Sequence, residues 1–168
     1  MARQLGNKLI VDVSRKPGEP KILNLVELFN SNPNRIIGVA GTVNEDGTPN
    51  TAPISFIFAK DEQTLLIALL NTNTTTQNVK RNGKICIEIL GPNDLAIGIR
   101  GTAKILREPM ESSSAMIMAE VVVEGVKQDT SPAQIVIQGP ASKPRSEKAI
   151  AFEQSVIAEI MKEIKNKK

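Results

Sequence analysis

Residues 36–60 read IIGVAGTVNEDGTPNTAPISFIFAK, residues 61–90 read DEQTLLIALLNTNTTTQNVKRNGKICIEIL, and residues 91–106 read GPNDLAIGIRGTAKIL. Short apolar runs alternate with turn signals at regular spacing, the pattern of a meandering antiparallel sheet. Ile36–Val43 is one strand candidate, followed by Asn44-Glu45-Asp46-Gly47-Thr48-Pro49, in which Asp-Gly marks a hairpin. Thr51–Lys60 reads as the next strand, with Pro53 marking an edge, a bulge or a strand end because it donates no ladder bond. Thr64–Leu70 is almost wholly apolar, as a strand buried on both faces would be. Ile85–Leu90 alternates, and Leu95–Leu106 is a long strand with Gly98, Arg100, Thr102 and Lys104 facing outward.

The segment Asn71–Asn82 interrupts this pattern. It is rich in hydroxyls and amides and ends in cations, and the Thr run with Gly83 beyond it predicts a short capped helix. First-turn amides and the helix dipole attract an anion, and Lys80 and Arg81 lie one to two turns on. Neither a GxGxxG nor a Walker-type phosphate loop occurs.

Outside this stretch, Leu9–Val13 is a short apolar run and Lys16–Pro20 a loop. Ile22–Asn30 has helical apolar spacing and Asn32-Pro33-Asn34 stops it. Pro109–Gly125 reads as a helix, with Met116, Ala119, Val123 and Val126 on one stripe, although Val121-Val122-Val123 is equally a strand start. Gln134–Gln138 reads as a short strand. Ser146 caps a final helix whose Val156, Ile157, Ile160, Met161 and Ile164 must cover the barrel or a partner. The expected fold is therefore mainly β with peripheral helices, a six-stranded antiparallel barrel. It forms one domain over 1–168, with a core of about 36–138 and helices at about 22–30 and 146–166.

Composition narrows the chemistry. The 168 residues contain no His, Tyr or Trp and one Cys, so a Ser-His-Asp or Cys-His centre in its usual form is excluded, as is a His-ligated metal. Acid-base work at neutral pH falls to a shifted carboxylate, Lys or Cys, and an enzyme here is most simply one whose cofactor carries the chemistry. Cys86 reads as an inert strand thiol and Met110, Met116 and Met118 as core or interface filler. No metal site is expected. The net charge of +3 is partly an effect of the Lys-rich C-terminal end, which suits a solvated helix terminus rather than a nucleic-acid arm. No apolar run has the length of a membrane span or a signal-peptide core, so a soluble, cytoplasmic protein is expected, without nucleic-acid or membrane partners.

The strand Ile37–Val43, the hairpin Asp46–Pro49, the segment Ala52–Phe56, the helix start Thr74–Asn82 and the strand Ile99–Ala103 occur in an order that resembles the pyridoxamine 5'-phosphate oxidase-like FMN-binding split barrels. The resemblance covers somewhat under half the chain and implies a split β-barrel of that type. It implies an FMN-binding flavoprotein acting as a reductase or oxidase, the alternative being a non-catalytic flavin, small-ligand or electron-carrier protein. Pro53, Ile54 and Ser55 would line the flavin ring and ribityl chain. Thr72, Thr74, Thr75 and Thr76 would meet the phosphate, with Asn78 steadying the helix start. The family's usual Lys or Arg near Thr74 or Thr75 is Thr here, leaving Lys80, Arg81 or Arg100 to compensate. The absence of His disfavours vitamin B6 oxidation itself. The resemblance also implies a homodimer with flavin at the interface and a small-molecule electron donor or acceptor.

Overall fold

The computed structural model describes residues 3–5, 8–11, 21–31 and 36–166. Three short strands, β1 (Arg3–Leu5), β2 (Lys8–Val11) and β3 (Lys21–Leu23), pair antiparallel in that order, and α1 (Leu25–Asn30) follows. The loop expected at Lys16–Pro20 and the helix stop at Asn32–Asn34 lie outside the described residues. Seven strands then build the main sheet: β4 (Gly38–Val43), β5 (Pro49–Ile54), β6 (Ile57–Asp61), β7 (Thr64–Leu70), β8 (Lys84–Gly91), β9 (Leu95–Arg107) and β10 (Met116–Gln128). Their order is β5-β4-β8-β9-β10-β7-β6, every pair antiparallel. Helices α2 (Thr74–Asn82) and α3 (Glu147–Lys165) complete the chain.

The two edge strands of this sheet are neighbours in sequence. Only Ser55 and Phe56 separate β5 from β6, and at 3.8 Å per residue step that link spans at most about 11 Å. The sheet must therefore curl until its edges meet, closing a barrel at that end. Phe56 O accepts from Ala68 N at 3.1 Å, tying the link to β7. Pro53 sits on an edge strand, where a missing N–H is tolerated. The exposed edge of β6 is covered by α1: the Asn30 carboxamide donates to Ala59 O (2.8 Å) and accepts from Ala59 N (2.9 Å), as a pairing strand would.

Closure creates two apolar compartments. Inside the barrel lie Ala40, Ile54, Ile57, Leu65, Ile67, Ile87, Ile99 and Val121. Outside it, Phe56, Phe58, Leu66, Ala68, Met116 and Met118 pack against Val156 and Ile160 of α3. β7 is buried on both faces because its alternate residues serve the two compartments. Each fully buried Leu or Ile contributes about 1.5–3 kcal/mol. The apolar stripe of α3 thus covers its own barrel, with Ile157, Met161 and Ile164 at the margin.

Four expectations are corrected. Thr51–Lys60 is not one strand but β5 and β6 at opposite edges, which raises the strand count from six to seven. Pro109–Gly125 is not a helix: Met116–Gln128 is strand β10, preceded by a turn. Met116–Ala119 is buried on both faces, and the register shift at Val123/Gly125 moves the inward phase from Ala119, Val121 and Val123 to Val126, so Met116, Ala119, Val123 and Val126 mimic a helical stripe. Gln134–Gln138 forms no ladder. Val136 is pinned to Asp94 through its amide (3.2 Å) and its carbonyl (3.0 Å), while Ile135 and Ile137 are 72% and 79% exposed. The first helix is shorter than 22–30 because Lys21–Leu23 is strand and Asn24 is the N-cap, accepting from Glu27 N.

α3 is fastened by a buried carboxylate. Glu159, 7% exposed, accepts from Glu111 N (2.9 Å) and Ser112 N (2.7 Å), with Arg107 Nη1 at 3.5 Å. Burial pushes its pKa up, but the bonds from Ser112 and Glu111 and the Arg107 charge outweigh it, so the carboxyl lies below its usual value. A depressed pKa adds stability above the unfolded value of about 4.5 that is lost as pH falls through the folded one. Glu159→Ala leaves two buried amides unpaired and should lower stability by about 2–4 kcal/mol in urea unfolding. Acid titration followed by tryptic release of α3 should show a transition below the ordinary Glu range in the wild type, absent from Glu159→Gln.

Candidate functional site

The sequence Asn73-Thr74-Thr75-Thr76 starts a helix because Asn73, in extended conformation, accepts from Thr76 N at 2.7 Å. Gly83 ends it in the left-handed conformation (φ +68), its amide bonding Val79 O. A Cβ on Gly83 would lie 2.8 Å from Ala103 O, so α2 comes down onto β9 only because this residue has none. α2 is polar, yet Thr75, Thr76 and Asn78 are almost completely buried. Their burial is resolved by a hydrogen-bonded network with the β4–β5 hairpin.

Asn78 is the hub. Its Nδ2 donates to Thr42 Oγ1 (3.0 Å) and Asn44 Oδ1 (2.9 Å), and its Oδ1 accepts from Arg81 Nη2 (3.1 Å). Arg81 also donates to Val43 O. Asn50 Nδ2 donates to both Thr42 Oγ1 (3.0 Å) and Thr75 Oγ1 (3.1 Å). Thr76 Oγ1 donates to Leu70 O at 2.7 Å. The hairpin is shaped by Asp46, which accepts from the hydroxyl (2.6 Å) and amide (2.9 Å) of Thr48, both of which hold its pKa below the usual carboxylate value.

The structure brings together most of the residues singled out from sequence. Thr72 and Thr74 are exposed at the start of α2, Thr75 and Thr76 are beneath them, and Asn78 is a turn further on. Lys80 is exposed and paired with Glu108 Oε1 at 2.5 Å. Pro53 is exposed on β5, Ile54 is buried with its side chain in the barrel core, and Ser55 is half-buried in the closing link. Arg100 stands apart, exposed on the outer face of β9. Thr42, Asn44 and Asn50 were missed. A signal existed for Thr42: it falls in phase with Gly38 and Ala40, so a polar residue points inward and needs a partner.

On the outer face, Cys86 is half-buried, and burial first, then the Glu88 charge, raises its thiol pKa. Glu88 is itself raised, by burial and then by Asp129, with Lys127 opposing. Among the described residues no group of three or more His, Cys, Asp or Glu is placed to hold a metal, and no helix is long and apolar enough to cross a membrane.

A family model described as pyridoxamine 5'-phosphate oxidase matches residues 26–154. The chain belongs to this family. No curated protein matches it significantly. Among solved structures, HupZ of Group A Streptococcus is 22% identical, with a TM-score of 0.51 over 62% of this chain and 98% of that one. A candidate pyridoxamine 5'-phosphate oxidase from Lactobacillus delbrueckii is 18% identical, with a TM-score of 0.52 over 75% and 98%. At these identities the likeness is one of fold, and it places this member of the pyridoxamine 5'-phosphate oxidase family among the antiparallel split barrels.

Asn78→Ala removes three side-chain hydrogen bonds from a buried position. It should destabilise the protein by about 3 kcal/mol in urea unfolding. Lys80→Ala, which breaks an exposed pair, should change stability by under about 1 kcal/mol.

Proposed function

We propose that the protein binds FMN between the start of α2 and the β4–β5 hairpin and works as a flavin-dependent oxidoreductase. The observation carrying this reading is the family match across residues 26–154, a span that contains the α2–hairpin network. The donor chemistry at α2 suits a phosphate held by neutral groups. Thr75 Oγ1 accepts from Asn50, which leaves its own proton free to donate, and Thr72 and Thr74 lie exposed beside it. Thr76 donates inward to Leu70 O, so its role is to fix the helix start, as is that of Asn78. Lys80 reaches an anion only by leaving Glu108. Pro53 and Ile54 on the edge strand β5, and Ser55 in the closing link, offer backbone groups to the ring and ribityl chain. When bound, FMN supplies the hydride and electron chemistry.

In this reading the chain's side chains bind and orient; none near α2 is suited to move a proton at neutral pH, and the chain has no His. That observation favours a second reading, a flavin-binding electron carrier without a substrate of its own. Turnover of NADH or NADPH with any acceptor would exclude it. The compartment proposed is the cytoplasm. The purified protein should be yellow, or become so on FMN titration; a colourless protein that quenches no flavin fluorescence refutes the FMN reading. Thr75→Ala should weaken FMN by about 1 kcal/mol and leave riboflavin unchanged.

The reading includes a homodimer sharing the flavin site. Ile135 and Ile137 support it: they project from a pinned segment as large exposed apolar side chains, which a second copy would cover. Light scattering should give about twice 18.2 kDa. The pair Ile135→Asp and Ile137→Asp should give the single-chain mass.

A further inference from the structure

The outer face of the sheet carries a feature that the cofactor reading does not use. Across five strands, Thr51, Gly41, Cys86, Arg100 and Gly125 stand in register. The two glycines lower this row. A Cβ at Gly41 would meet only Cys86 O, at 3.6 Å, and one at Gly125 would meet the Arg100 guanidinium at 3.4 Å. The result is a trough of about 430 Å³ lined by Thr51, Lys84, Cys86, Arg100, Thr102 and Glu124, with Val43 and Pro49 as its apolar wall.

Its charges are unbalanced. Glu124 is the one acidic residue of the lining, and its carboxylate is taken by the Thr102 hydroxyl. Arg100 makes no salt bridge or side-chain hydrogen bond with the described residues, whereas Lys60, Lys80, Arg81, Arg107, Lys127 and Lys162 do. Lys84 pairs in register with Thr102 at the same end, adding a second positive charge. The Arg100 guanidinium lies over Gly125 with donors unspent, and its planar fork matches the two oxygens of a carboxylate or phosphate. The volume is that of a small-ligand pocket.

We propose that this trough is a second binding site, for a small organic anion whose carboxylate or phosphate pairs with Arg100 while its apolar part lies against Val43 and Pro49. The site shares the β4–β5 hairpin with the flavin reading but uses none of the α2 residues of that reading. Cys86 is the cross-strand partner of Arg100 on the same face, so the two side chains are within about 5.5 Å at Cβ. As the chain's single cysteine, it reports on the trough alone.

The test is the rate of Cys86 alkylation by N-ethylmaleimide at one fixed alkaline pH, because burial and the Glu88 charge raise its thiol pKa and the thiolate is the reactive form. It is measured with inorganic phosphate, acetate or chloride at equal ionic strength, in the wild type, Arg100→Gln and Arg100→Lys. Saturating phosphate or acetate should slow wild-type labelling at least about fivefold relative to chloride. The slowing should vanish in Arg100→Gln and return in part in Arg100→Lys. Protection by phosphate alone assigns a phosphate-bearing ligand, and protection by acetate alone a carboxylate. Equal protection in wild type and Arg100→Gln, no protection by either oxyanion, or a Cys86 that does not label without ligand would each overturn the proposal. Flavin absorbance measured on the same samples reads the α2 site separately, so loss of one reading is distinguishable from loss of the other.

Discussion

The two-residue link between β5 and β6 is the constraint from which the rest follows. Two strands consecutive in sequence occupy opposite edges of a seven-stranded sheet, so the sheet cannot stay open. Its curl gathers Ile54, Ile57, Ile67, Ile87 and Ile99 into one interior and turns Phe56, Phe58 and Leu66 to the outside. That second apolar surface has to be covered, which is the work of α3 and of the Met residues around Met116. Glu159 then matters beyond its own bonds, because it holds the cover in place through the β9–β10 turn.

Closure also determines the polar site. α2 leaves the end of β7 and returns to β8 across the β4–β5 hairpin, which presents Thr42, Asn44 and Asn50. A polar helix buried there is stable only if its side chains are satisfied. The Asn78 and Asn50 amides each use both Nδ2 protons in doing so. The network therefore sets which groups are left to meet a ligand. Thr76 has given up its proton, whereas Thr75 has not. Site chemistry here is what the fold leaves over.

Much of this was legible in the sequence where one physical signal acted alone. Gly83 as a left-handed cap, Asp46-Gly47 as a turn and the doubly buried β7 followed from local chemistry and composition. Reading failed where two signals coincided. Met116, Ala119, Val123 and Val126 have helical spacing only because one bulge, at Val123/Gly125, shifts the phase of a strand whose first part is buried on both faces. Ile57 alternates against Phe56 and Phe58 as one strand would, and nothing local tells the chain to change edges at Ser55. The Asn50–Thr75 bond joins residues 25 apart in sequence and has no periodicity at all. Long-range polar pairs of this kind become visible only once the strands are placed.

The two faces of the sheet treat cations in opposite ways, and this separates their chemistry. Around α2 the positive charges are spent on the fold: Arg81 holds Val43 and Asn78, and Lys80 holds Glu108. An anion bound there would meet hydroxyls and amides, whose bonds are roughly half as strong as charge-assisted ones. Such a site rests on geometry, and geometry is what the buried network supplies. On the outer face Gly125 lies beside Arg100 and Gly41 beyond Cys86, where a side chain would meet no backbone clash but would fill the trough. Lys127 and Asp129 pair off at one end, and Glu124 and Thr102 at the other. What is left between them is a single unspent guanidinium above a low floor, an arrangement that would select for charge where a site at α2 would select for shape.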